Sequence, residues 1–153
     1  MRKLAGIMFL AYLFLVGCNE PDCIRLASTT MGIGFYDINT GDALAIRVNR
    51  LQVVGSDSVL MENVTSTRSV LLPLNPSDTS VTAVFDTEFG IDTLILSYNT
   101  VTRLISEECG AEIMIEKLRR ARNDFDSIRF VNRSLQITLG ESNIVTENVQ
   151  IFN

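Results

Sequence analysis

Three cysteines carry most of the chemistry this sequence offers, because the chain has no histidine. Without imidazole, the usual triad base and the commonest metal ligand are both missing. Cys18 ends an uncharged stretch, Leu4 to Val16 and then Gly17, that follows the basic head Met1-Arg2-Lys3. A short basic region, an apolar core and a small residue before a cut are the layout of a secretory signal. A transmembrane helix is the rival reading. It needs about 20 apolar residues, and this run stops at the polar Asn19-Glu20-Pro21-Asp22.

Leu15-Val16-Gly17-Cys18 resembles the lipobox of bacterial lipoproteins. The residue types suit that chemistry: the Cys18 thiol is the nucleophile that takes up a diacylglycerol, and Gly17 is small enough for a peptidase to grip the chain beside it. The resemblance implies cleavage after Gly17 and a lipidated Cys18 as the first mature residue. A single acyl chain holds a membrane only marginally, so the several chains of such a cysteine make a stable anchor.

The other two thiols are then left as a pair. Outside the cytoplasm an even remainder predicts a disulfide between Cys23 and Cys109. Two buried free thiols is the alternative, and the polar or turn residues Asp22, Glu108 and Gly110 beside them favour the bond. The bond closes a loop of 86 residues, worth roughly 4 to 5 kcal/mol through chain entropy. Only Asn19 to Asp22 separate the lipid from Cys23, a reach of about 15 to 18 Å, so the folded part is expected close to the bilayer.

The 153 residues less the 17 of the signal leave 136, enough for one domain with a core of its own. Losing Arg2 and Lys3 leaves 11 basic against 18 acidic residues, a net of −7. That balance argues against nucleic-acid binding, which depends on cationic surface. Asp37-x-Asn39-x-Gly41-Asp42 looks like part of a calcium loop, but position six is Asp42 and position twelve is Val48, where an EF-hand wants Gly and Glu. The same residues make a good hairpin turn, the stronger reading. Lys117, Arg119, Arg120 and Arg122 form the one basic cluster, read as a solvated hairpin end rather than a headgroup site. Glu107-Glu108 is a carboxylate pair that nothing in the sequence places in a cleft. No catalytic residue and no cofactor is expected.

Positioning these residues falls to strands. Leu44, Ile46 and Val48 alternate with polar or small residues, and the apolar parity then shifts to Leu51 and Val53, which predicts a bulge near Asn49-Arg50. Ile24 to Thr30 is a candidate first strand, and Met31 to Tyr36 is apolar but interrupted by Gly32 and Gly34. Short strands follow at Val59 to Met61, Ser69 to Leu74, Val81 to Phe85 and Asp92 to Tyr98, with Glu62 to Arg68 read as loop. Ala111 to Arg122 fits helix or strand, and the alternation of Ile113 and Ile115 beside Gly110 favours strand through Leu118. Phe125 to Val131, Leu135 to Leu139 and Ile144 to Phe152 complete the set. Such spacing, with no long helix, predicts an all-β fold: an antiparallel β-sandwich of about eight or nine short strands over residues 23–153.

In order along the chain stand Gly34-Phe35-Tyr36-Asp37, Leu72-Pro73-Leu74-Asn75-Pro76, the stretch Asp92 to Tyr98, Glu108-Cys109-Gly110 and Phe125-Asp126-Ser127-Ile128. With the lipobox and the early second cysteine, this order resembles an uncharacterised family of small Bacteroidota lipoproteins. The resemblance implies the anchor, the cysteine pair and strand after Cys109, and brings no activity. Asp57-Ser58-Val59, Asp92-Thr93-Leu94 and Asp126-Ser127-Ile128 resemble the O-glycosylation acceptor motif of exported Bacteroidota proteins, which marks Ser58, Thr93 and Ser127. The expectation is a non-catalytic structural or interaction module of the cell envelope, lipid-anchored on the periplasmic or surface face of the outer membrane, with a protein or glycan partner. A glycan- or lipid-binding lipoprotein is the alternative.

Overall fold

Two β-sheets face each other across a single apolar layer. The computed structural model describes residues 23–138 and 144–153. Its strands are β1 (Thr30–Tyr36), β2 (Ile46–Val53), β3 (Val59–Thr67), β4 (Ser69–Pro73), β5 (Ser80–Thr87), β6 (Gly90–Ser106), β7 (Gly110–Asn123), β8 (Ser127–Phe130), β9 (Ile137–Thr138), β10 (Ile144–Val145) and β11 (Glu147–Phe152). The larger sheet runs β3-β2-β5-β6-β7, the smaller β4-β1-β11-β8, and β9 and β10 form a separate ribbon. This is the expected all-β sandwich. Every pairing is antiparallel except β1 with β11, the first and last strands, which lie parallel at the centre of the smaller sheet.

Period-two alternation decides which side chains enter the core. Leu94, Leu96 and Tyr98 of β6 all point inward, as do Val81, Ala83 and Phe85 of β5. From the smaller sheet come Met31, Ile33, Phe35, Val70, Leu72, Val149 and Ile151. Phe35 meets Phe85 edge-on across the layer at 6.4 Å, and Phe85 meets Phe125 at 5.3 Å. The parity shift near Asn49-Arg50 is present as a break of register between Val48 and Arg50 where β2 pairs with β5. In β7 the two inward residues Ile115 and Leu118 are three apart. Lys117, at φ +57°, takes up the extra residue as a bulge.

Several expectations are corrected. Ile24 to Thr29 is not a strand: it lies alongside other elements through a single bridge, Ala27 to Gln136. The glycine-interrupted stretch after it is the true first strand. Gly32 and Gly34 allow close approach there, since a Cβ at Gly34 would fall 2.2 Å from Glu147 Oε2 and one at Gly32 would fall 2.8 Å from the Thr146 carbonyl. Glu62 to Thr67 is strand rather than loop. It is polar because β3 is an edge strand with both faces largely exposed. β6 and β7, at 17 and 14 residues, are long rather than short. The last segment divides into β10 and β11, which join different sheets.

Candidate functional site: the hairpin arm at the start of the domain

Ser80 is the first residue of β5 and pairs with Ser97, so β6 has no β5 neighbour beyond Tyr98. From Asn99 to Ser106 it pairs with β7 alone, and the two make an arm that outruns the sheet. At its tip the Cys109 N–H donates to Ser106 Oγ at 3.0 Å. Cys109 is joined to Cys23 by a disulfide with a Cα–Cα separation of 5.4 Å.

The residues after Cys23 are held along the same arm by charge. The Arg25 guanidinium donates to the carbonyls of Cys109 and Ala111, each at 3.3 Å. Glu112 is the most deeply buried charged side chain among the described residues. One of its oxygens accepts the N–H groups of Leu26 and Ala27 at 3.2 and 3.1 Å, and the other pairs with Arg103. Burial alone pushes this carboxyl up. The Ala27 N–H, the Arg103 guanidinium and the Leu26 N–H outweigh it, and the net pKa lies below the usual carboxylate value. A covalent bond, an arginine fork and a buried carboxylate thus fix the first described residues to one hairpin.

The same end of the sandwich carries a cleft of about 600 Å³ between the sheets. Val53, Leu60 and Val81 give it apolar walls, and Asn75, Asp78 and Tyr98 give it polar ones. The Tyr98 hydroxyl donates to the Asn75 carbonyl at 2.9 Å and so ties the β4–β5 loop to β6.

Residues 45–153, more than two thirds of the chain, match the family of unknown function DUF6452. The chain belongs to that family. No curated protein and no solved structure matches it. The DUF6452 region starts just before β2 and so leaves out β1 and Cys23. Yet β1 lies between β4 and β11 and sends Met31, Ile33 and Phe35 into the core. The folded unit of this DUF6452 protein therefore extends upstream of the matched residues.

The other predicted residues are spread along the chain, Asp37, Asn39 and Asp42 ahead of the DUF6452 region. The expected signal segment 1–17, Cys18 and the expected tether 19–22 lie outside the described residues. Asp37, Asn39 and Asp42 form a turn in which the Asp37 carboxylate accepts the N–H groups of Thr40 and Asn39, which lowers its pKa. Among the described residues no group of three or more Cys, Asp or Glu side chains is placed to hold a metal ion. Ser58 and Ser127 are exposed, and Thr93 is half-buried near the start of β6. Lys117, Arg119, Arg120 and Arg122 are exposed along β7, and Glu107 and Glu108 are exposed in the arm's turn. At the far end Asp92, Asp124 and Asp126 line a recess of about 260 Å³ with Phe125 and Asn153. Burial, then the charges of Asp124 and Asp126, raises the Asp92 pKa. Sequence reasoning missed this recess and the role of Glu112, because both depend on segments brought together only by the fold.

Proposed function

We propose that this protein is a lipid-anchored module of the cell envelope, of the small Bacteroidota lipoprotein type, that serves a non-catalytic structural or interaction role. One observation carries the reading: Cys23, five residues beyond the lipobox cysteine, is bonded to the tip of the β6–β7 arm. A lipid on Cys18 would then leave Cys23 within about 18 Å of the acylated residue at full extension, with the arm tip 5.4 Å further on at Cys109. The anchored end is the arm end, and the Glu88-Phe89 turn between β5 and β6 faces away. Two of the three thiols are spent on each other, and the chain has no imidazole to activate a nucleophile, which supports the non-catalytic role. The test is fractionation. The native protein is expected with the membranes, and Cys18→Ser is expected in the soluble fraction. A Cys18→Ser protein that stays membrane-bound would refute the anchor.

The cleft favours a second reading, a lipoprotein that binds a glycan or a lipid, since its volume lies in the range of ligand pockets and its lining mixes apolar and polar groups. Detergent-free protein should then show saturable binding of a glycan or lipid, lost when Leu60→Trp fills the cleft. Equal binding by the filled variant would dismiss this reading.

A further inference from the structure

The tip of the arm is more apolar than an exposed hairpin needs to be. Thr102 pairs with Ile113, and Leu104 pairs with Ala111, so all four side chains share one face of the arm. All four are exposed, with Leu104 at 65% and Ile113 at 49%. None is charged. Across the disulfide, Ile24 is 53% exposed. The opposite face of the arm is already occupied: Glu112 binds Arg103 and the backbone of Leu26 and Ala27 there. The uncovered apolar face therefore stands at the one place where the chain leaves the described structure towards Cys18.

We infer that this face of the arm, Leu104 and Ile113 with Thr102 and Ala111 between them, rests in the interfacial layer of the bilayer that holds the anchor. The inference rests on the anchoring reading and adds an orientation to it. The occupant follows from where the described residues end: five residues at full extension carry Cys23 no more than about 18 Å from the acylated cysteine, and Cys109 at the tip is 5.4 Å from Cys23. Apolar side chains that would otherwise face water gain by entering the boundary between headgroups and acyl chains, as those of interfacial helices do. Glu107 and Glu108, in the turn, stay among the headgroups and keep the contact shallow. The arm is thus a second, non-covalent foot that sets how the domain stands on the membrane.

The chain contains no tryptophan, so a single introduced one reports alone. The full-length processed protein carrying Leu104→Trp is reconstituted in phosphatidylethanolamine–phosphatidylglycerol vesicles, with and without bromine on the acyl chains. Ile91→Trp, 71% exposed at the far end, is the reference, and Thr102→Trp is a second reporter on the same face. Circular dichroism confirms that each variant folds. The expected result is blue-shifted emission and severalfold stronger quenching by brominated lipid for Leu104→Trp and Thr102→Trp than for Ile91→Trp. Protein that floats with vesicles while all three reporters stay unquenched would overturn the inference and leave the anchor standing. Shielding of Leu104→Trp in native membranes but not in vesicles would assign the face to a protein partner and would also overturn it. Protein that does not float at all would remove the anchor and the inference together.

Discussion

Replacing Cys109 with alanine removes a cross-link whose effect is calculable. The bond closes a separation of 86 residues, and chain entropy for that length gives about 4.6 kcal/mol at 25 °C. At roughly 2.1 cal/mol/K of unfolding entropy per residue, a domain of about 130 residues would melt about 17 °C lower. The native structure should survive, because Arg25 and Glu112 still hold the first residues to β7 and nothing in the core is touched. The loss therefore acts through the unfolded state. The far-UV spectrum should be unchanged, while the denaturant slope rises as the unfolded chain expands. Urea titration of Cys109→Ala against the wild type, each with and without reductant, measures this. Reductant should bring the wild type to the variant's midpoint. A loss under about 1 kcal/mol would refute the view of the bond as the main covalent clamp on the fold.

Other consequences concern single side chains and one strand. Glu112→Gln should cost about 1.5 to 3 kcal/mol at neutral pH, since it takes the charge from an acceptor of two N–H groups and an arginine. Because the folded pKa of Glu112 is depressed, its contribution is full above the ordinary carboxylate pKa and is lost as pH falls through the folded one. Urea unfolding across acidic pH should show a steeper loss in the wild type than in Glu112→Gln, and parallel curves would contradict the assignment. Gly34→Ala should cost about 1 to 3 kcal/mol, because the new Cβ displaces the Glu147 carboxylate that accepts the Tyr36 hydroxyl; thermal melts give the value. A chain beginning at Ala45, the family-matched region alone, should not fold, because it lacks the strand between β4 and β11. Dispersed amide resonances from that truncation would prove the opposite. If the acceptor motifs are used, Ser58 and Ser127 should be modified ahead of Thr93, which is half-buried within β6, and peptide mass spectrometry would show the order.

Much of the larger sheet could be read from local pattern. Leu94, Leu96 and Tyr98 alternate without interruption, and the parity shift after Val48 forecast a real break of register. Strand was also the right choice after Cys109, although Leu118 enters the core only because Lys117 bulges. What the sequence hid was of two kinds. Edge strands need no apolar face, so β3 beyond Met61 looked like loop, and glycines that admit neighbouring atoms at close range looked like breaks in β1. Long-range partners leave no local trace at all: the parallel pairing of β1 with β11 joins the two ends of the domain. Glu112, an ordinary acidic residue in an alternating segment, becomes a clamp only once Leu26 and Ala27 lie above it. The disulfide could be expected from thiol parity alone, but its place at the tip of an arm that outruns the sheet could not.

The central claim is a lipid on Cys18 next to a disulfide that fixes the domain's first residues to the arm. Mass spectrometry of the native protein, digested without reduction, tests both parts at once. The account predicts an N-terminal peptide that begins at Cys18, carries diacylglycerol with or without a further acyl chain, and is linked through Cys23 to the peptide containing Cys109. An unmodified peptide that begins at Met1, or free thiols at both Cys23 and Cys109, would contradict it.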